Sequence, residues 1–465
     1  MSGLHAAAVR TDVTPPPGGP LAGYGARGDA VAQGAHDPLE ATLVWLHDDA
    51  SDRDVVWIGL DVVGADEEIS GAVAAAVAAA IGRPEAVVLV CASHTHSSAA
   101  AWFHRPTAGF EVIGSAAPEE SEAARHVLVD RITAAAGRLP GSLRPVRVVA
   151  TEAGVHGVGA NRHRIDGPHD PTAGVLATLD EHGCVHAVVT DYGSHPTVLG
   201  HDNLLWSADW PGAARRALSG ALTGLTAFPG TDGGEPATRA PVVLFLQGAA
   251  GDSSARFVRR QQTFDEADRL GGRYAGQVLD ALLEATVDEV PGRLSVGRTT
   301  VTLPTKRTLA PEAALEREEQ ARSAWEEVRR THPDGSPAER LARTRYEGAL
   351  VDRRLIEAEL PPTLTLSLTV VALGGRAWVH LPVELFASFA LRIRAASPFP
   401  ATRVVGYTDG YLGYIADADA HRDGVYEARV SLFDIDASEQ LCEAAIALLR
   451  ETAQRRTPAA PEVAR

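Results

Sequence analysis

Two histidines, His94 and His96, stand in the segment Ser93-His94-Thr95-His96-Ser97, directly after the apolar run Val88-Leu89-Val90-Cys91. Neutral imidazole is the commonest protein ligand for zinc, and a strand end fixes the direction in which a side chain leaves the backbone. Residues two apart on an ideal strand share a face, so both rings could enter one site. The competing reading is a pair of structural histidines beside a strand end. A second apolar run, Val185–Thr190, leads into Gly193-Ser194-His195-Pro196-Thr197. Open α/β sheets place their ligands at carboxyl ends of strands, which makes His195 a candidate third imidazole. Taken alone, His195 reads as a packing histidine. A third run, Val242–Gln247, leads into Gly248-Ala249-Ala250-Gly251-Asp252-Ser253-Ser254. This turn lacks the lysine of a P-loop, the GxGxxG spacing and the GxSxG of a serine-hydrolase elbow. Backbone N–H groups and Ser254 presented to a reacting carbonyl fit it better.

Short apolar, β-branched runs alternate with helical segments, which predicts an α/β fold of mixed sheets flanked by helices. Strands are expected at Ala41–Leu46, Val55–Leu60, Ala86–Cys91, Val146–Thr151, Val185–Thr190, Val242–Gln247, Thr363–Ala372 and Ala377–Leu381. Several are continuous apolar runs, the mark of strands buried on both faces. Thr299–Leu303 and Thr363–Ala372 read as antiparallel. Helices are expected over Asp66–Ile81, Glu119–Ala136, Trp210–Ser219, Phe264–Glu284 and Val383–Ala395. Thr223–Ala240, rich in Gly, Pro and Thr, reads as a surface loop. Residues 311–360 are dense in Glu and Arg at helical spacing and break at His332-Pro333-Asp334-Gly335, so they read as a helical hairpin. Its charge pattern favours a solvated surface feature over a lid or a partner contact. Nothing divides residues 1–455 into separate cores, so one large domain is expected, with 456–465 as a disordered tail.

The chain is 45% hydrophobic and 22% charged, with no apolar stretch approaching the length of about 18 residues that a membrane span needs. Met1–Arg10 shows no basic-then-apolar secretory pattern. Cys91, Cys184 and Cys442 lack CxxC spacing and read as buried small hydrophobes in a reducing compartment, so a cytoplasmic location is expected. The net charge of −17 argues against nucleic acid and against docking on an anionic membrane. Oligomeric state is not legible.

Eight segments, in order through the chain, resemble the neutral, non-lysosomal ceramidase family. They are Asp12-Val13-Thr14-Pro15 with Ala22-Gly23-Tyr24; the His94/His96 segment; Asn161-Arg162; the His195 segment; Ser207-Ala208-Asp209; Gly251-Asp252-Ser253-Ser254; Leu381-Pro382-Val383-Glu384-Leu385-Phe386; and Tyr411-Leu412-Gly413-Tyr414 with Tyr426-Glu427. The resemblance implies zinc (Zn2+) held by His94, His195, Glu384 and Tyr414. It implies His96, Arg162, Ser254 and Tyr426 as groups around a scissile amide. Read without it, Glu384 is an acid at a helix N-terminus, favoured there by the dipole, and Tyr414 a packing aromatic.

The chain departs from the family at several points. The first histidine motif continues Ser97-Ser98-Ala99-Ala100, without the family's glycines. The serine turn continues Ala255-Arg256, and Asn161-Arg162 is followed by His163-Arg164. A signal sequence and a C-terminal immunoglobulin-like domain are not seen. The expected activity is therefore zinc-dependent hydrolysis of an amide in a soluble N-acyl compound rather than membrane ceramide. Arg162, His163, Arg164 and Arg256 suit a carboxylate-bearing substrate. The same centre could instead serve ester, lactone or amide-forming chemistry, or belong to a non-catalytic zinc-containing binding protein.

Overall fold

Three mixed sheets share one design: antiparallel strands that end in a single parallel pair. The computed structural model describes residues 3–28, 30–102, 118–223, 225, 228–229, 231, 240–288, 293–333 and 335–456. In the first sheet the spatial order is Val87–Ala92, Arg53–Leu60, Glu40–Asp48, Leu4–Asp12, with the short Arg144–Pro145 at the edge. In the second it is Val242–Gln247, Val185–Tyr192, Thr172–Leu179, Arg147–Gly154, Val287–Asp288. In the third it is Leu294–Pro304, Thr363–Leu373, Arg376–His380, Ala401–Val405.

Parallel neighbours need a crossover connection, and each sheet supplies one helix for it. Glu67–Ala80 joins Arg53–Leu60 to Val87–Ala92. Asp209–Thr223 joins Val185–Tyr192 to Val242–Gln247. Ala387–Ala396 joins Arg376–His380 to Ala401–Val405. The loops that leave the carboxyl ends of these parallel strands carry residues 93–97, 193–197, 248–254, 381–386 and 406–414.

The first two sheets face each other through Ala6, Val44, Trp57 and Leu89 against Val148, Leu176, Val189 and Leu244, joined by Val371 and Trp378 of the third sheet. Helices close the outer faces. Glu67–Ala80 and Pro118–Ala136 cover the first sheet with Val73, Val77, Leu128 and Ile132. Asp209–Thr223 and Phe264–Glu284 cover the second with Trp210, Leu218, Tyr274 and Val278. Ala387–Ala396 and Ala437–Arg456 cover the third with Phe389, Ile393, Leu441 and Ala445. Strands enclosed on both faces read as unbroken apolar runs, which is why the sequence exposed them.

The α/β class and all the expected strands and helices are present, with shifted ends. The helix expected from Val383 begins at Ala387 instead. Its first residues are held elsewhere: Leu381 N donates to Val405 O, Glu384 N to Gly413 O and Phe386 N to Ile415 O. Glu384 therefore lies in a two-residue strand, not at a helix start. The strands Leu4–Asp12, Thr172–Leu179 and Ala401–Val405 were not expected.

The hairpin is present as Pro311–Thr331 and Pro337–Glu357, with Ser336 capping the second helix through a hydrogen bond from Glu339 N. It is more than a solvated surface, since Val351 and Leu355 enter the core under the third sheet. Most of Thr223–Ala240 lies outside the described residues, as do residues 457–465; residue 456, assigned to the tail, closes the last helix. Among the described residues, no helix is long and apolar enough to cross a membrane.

Candidate metal centre

The strand Val87–Ala92 stops two residues before His94, whose backbone lies in the left-handed region at φ 67°. Such a conformation costs a non-glycine residue about 1–3 kcal/mol and survives where its surroundings dictate it. Here Ser93 N donates to Leu60 O and His94 N to Val62 O, both at 2.9 Å. This twist, rather than strand alternation, sets the two rings perpendicular with centroids 4.8 Å apart. His195 arrives from the end of Val185–Tyr192 and pairs with Ser254 through an isolated parallel bridge. Glu384 lies beside Tyr414 in a second short parallel pairing. Register therefore brings together residues far apart in sequence.

The Nδ1 atom of His94 lies 2.5 Å from Val63 O, and that of His195 lies 2.6 Å from Ala250 O. A carbonyl only accepts, so both Nδ1 atoms carry protons and each ring turns its Nε2 towards Glu384. Those Nε2 atoms stand 3.3 and 3.1 Å from Glu384 Oε2. Glu384 is held well below the usual carboxylate range: burial works against ionisation, and the two imidazoles outweigh it. An imidazolium does not resolve this array at His195, which burial, then Arg162 and His94, push down to about 4. His195 Nε2 is buried and makes no hydrogen bond of good geometry, with Glu384 Oε2 3.1 Å away. Buried polar atoms are seldom left so. Two imidazole nitrogens and a carboxylate oxygen aimed at one point fit a divalent cation.

His96 Nε2 is 3.2 Å from His94 Nε2, and the ligand atoms of His94, His96 and His195 all lie within 4.8 Å of one another. By distance alone His96 belongs to a possible metal group. It differs from the other two in that its Nδ1 is buried without a partner. Metal-binding histidines almost always anchor their second nitrogen, as His94 and His195 do. Burial, then His94 and His195, hold His96 well below the ordinary imidazole range, so it is neutral. Its ring packs 4.8 Å from Tyr24. The neighbouring Gly23, at φ 100°, admits that approach, because a Cβ there would meet His96 Cγ at 2.5 Å.

Tyr414 stacks on His195, with ring centroids 6.4 Å apart, and its phenol oxygen accepts from Arg162 Nη2 at 3.2 Å. Burial and then Glu384 keep the phenol well above its ordinary value. A bound cation reverses that logic. Tyr426 meets the Tyr414 ring edge-on at 6.2 Å and is held protonated by burial. Arg162 also pairs with Glu427 at 2.5 Å, and His163 Nε2 lies 3.2 Å from the same carboxylate. Burial opposes ionisation of Glu427, but Arg162 and His163 prevail and bring it down to about 2. Ser254 Oγ accepts from Arg256 N. Three of the turn's backbone donors are already used, Gly248, Gly251 and Ser253 giving their N–H groups to Tyr192 O, Leu385 O and Ala250 O.

Two residues escaped the sequence reading. Tyr411 donates to Glu384 Oε1 at 2.5 Å and Tyr407 to Oε2 at 3.3 Å. Tyr411 stood inside one of the quoted segments, while nothing marked Tyr407. Other quoted segments brace the centre. Asp252 accepts from Asn161 Nδ2 and from Ala387 N. Asp209 accepts from Leu199 N and Trp210 N, and Ser207 O accepts from Thr95 Oγ1.

Above His96, Glu384, Tyr411 and Tyr414 opens a cavity of about 770 Å3, also lined by Arg162, Ser254, Tyr426 and Glu427. The hairpin forms part of its wall through Arg340, Leu341, Arg343 and Glu347. Of the basic residues expected there, Arg162, His163 and Arg256 line it, whereas Arg164 points to Asp166 at 3.9 Å outside it.

No family model matches the chain, and no curated protein sequence does. The fold is the neutral ceramidase fold. The crystal structure of neutral ceramidase from Pseudomonas aeruginosa matches with a TM-score of 0.74 and 18% sequence identity, over 100% of this chain and 77% of that one. A ceramidase complexed with C2 matches with a TM-score of 0.74, 18% identity and the same coverage.

Proposed function

We propose that the chain is a zinc-dependent hydrolase that cleaves an amide bond of an N-acyl compound. The observation that carries this reading is the convergence of two anchored imidazoles and Glu384 on one point at the floor of a cavity, within a ceramidase fold. His94, His195 and Glu384 would hold the metal, with Tyr414 as the fourth donor. Bound there, zinc supplies a water whose pKa falls from about 15.7 towards about 7, the nucleophile for the amide carbonyl.

The remaining residues position and polarise. His96 is neutral and faces the cavity, so its ring N–H can donate to the oxygen that gains charge in the transition state. Tyr426, kept protonated by burial, offers a second donor. Removing one such donor typically costs about 3–4 kcal/mol of transition-state stabilisation. Arg162 cannot swing freely, because Glu427 holds it, and it steadies the Tyr414 oxygen and a substrate oxygen. Ser254 orients the substrate beside His195.

A panel of N-acyl amides and the matching esters tests the reading, with free amine and free acid measured. Amine release by the zinc-loaded protein, abolished in Glu384→Gln, is expected. Turnover of esters with no amine from any amide would overturn it.

A further inference from the structure

Among the described residues, three guanidiniums face the cavity without a carboxylate partner. Arg256 and Arg259 follow Ser254 in the chain, and Arg340 lies in the first turn of the hairpin helix Pro337–Glu357. Among the described residues, their guanidinium groups donate only to backbone carbonyls: Arg256 to Arg162 O at 3.0 Å, Arg259 to Thr197 O, and Arg340 to Gly335 O at 2.5 Å. The other cavity arginines are engaged, Arg162 by Glu427 at 2.5 Å and Arg343 towards Glu339 at 3.8 Å.

The cavity's acids do not offset the three. Glu427 is taken by Arg162 and His163, Glu384 belongs to the centre, and Asp423 lies 3.7 Å from Arg422 Nε. Burial pushes Glu347 up to about 7, so it gives up much of its charge near neutral pH. Desolvation and the neighbouring Arg162, Arg340 and Arg259 bring Arg256 down to about 10, against the opposing pull of Glu427. Arg256 and Arg340 are exposed and Arg259 half-buried, and like charges gathered from two separate segments in a chain of net charge −17 give this side of the cavity a positive potential that suits an anion. Beside them Phe257 and Leu341 line the same cavity while 44% and 51% exposed, a pair of apolar surfaces next to the positive cluster.

We propose that the cavity takes an N-acyl compound bearing a free carboxylate. The carboxylate lies among Arg256, Arg259 and Arg340, and the acyl chain lies against Phe257 and Leu341. This rests on the amide-hydrolase reading of the centre. The fork of a guanidinium matches a carboxylate in a bidentate fashion, which a neutral headgroup does not satisfy. Arg340 makes the hairpin a specificity element.

The test compares N-dodecanoylglycine with its methyl ester, scoring kcat/KM by release of dodecanoate. The acid is expected to be preferred by roughly 10–100-fold, the scale of one charged hydrogen-bonded pair. Arg340→Gln and Arg256→Gln, checked for folding by circular dichroism, should each cut that ratio by about tenfold. No preference in the wild type, or a ratio untouched in both variants, overturns the proposal. If neither compound yields dodecanoate, the hydrolase reading fails, and calorimetric binding of the same two compounds decides. Tighter binding of the acid, lost in Arg340→Gln, upholds the carboxylate site, and equal affinities overturn it.

Discussion

Replacing Tyr411 by Phe keeps the ring and removes one hydroxyl, the donor 2.5 Å from Glu384 Oε1. Both groups are buried, so no water substitutes readily for the lost bond. A hydrogen bond to a charged group contributes about 1.5–3 kcal/mol, which is roughly 10–100-fold in an equilibrium constant. Partners that hold a ligand's free oxygen typically cost the same range in metal affinity when removed. Tyr407, at 3.3 Å from Oε2, makes the weaker bond, so Tyr407→Phe should cost less, under about tenfold. The assay is zinc titration of the metal-free protein against a chromophoric chelator of known affinity. The expected order is wild type tightest, Tyr407→Phe next and Tyr411→Phe weakest. An unchanged affinity in Tyr411→Phe, or the reverse order of the two variants, would refute the claim that these phenols aim Glu384 at the metal.

Tyr426→Phe should lower kcat by roughly 10²–10³-fold, and Ser254→Ala by at least about tenfold, with zinc content unchanged in both. Loss of zinc from either would show that it belongs to the ligand set. Arg215 and Asp61 form a buried pair at 2.5 and 2.8 Å, so Arg215→Met strands a carboxylate and should cost about 3–5 kcal/mol in urea unfolding. His380, which accepts from Trp57 Nε1 at 3.2 Å, is lowered by burial to about 3. The unfolded chain then takes up the proton first as pH falls below about 6.5, and the folded state does so only near 3. Stability should therefore fall between about pH 6.5 and 3, by up to about 1.4 kcal/mol per pH unit, with a shallower slope in His380→Gln. Equal slopes in the two proteins would remove His380 from the account.

The parts of this site that local pattern carries were legible. His94 and His195 end apolar runs that could only be enclosed strands, and both rings reach the centre. The parts set by long-range register were not. Glu384 and Tyr414 become neighbours because two-residue strands pair across 30 positions of chain, a match that no local periodicity announces. The bonds from residues 381, 384 and 386 to Val405, Gly413 and Ile415 delay the helix that composition places at Val383. His94 reaches its place through a left-handed backbone, so the two-residue spacing was a correct clue read through the wrong geometry. The strands Leu4–Asp12 and Thr172–Leu179 carry Ala6, Ala7, Ala8, Ala173, Gly174 and Ala177, residues with little β preference of their own, so burial in a sheet rather than local composition marks them as strands. The hairpin's charges read as solvated surface because nothing in their spacing marks Arg340, which the fold places beside the cavity.

Metal content of the purified protein, measured alongside His94→Ala and His96→Ala, bears most directly on the central claim. About one zinc per chain is expected in the wild type and in His96→Ala, whose ring lacks the second anchor of a metal ligand, with loss of zinc in His94→Ala. Less than about half a zinc per wild-type chain, or full occupancy in His94→Ala, would contradict a centre built on His94, His195 and Glu384.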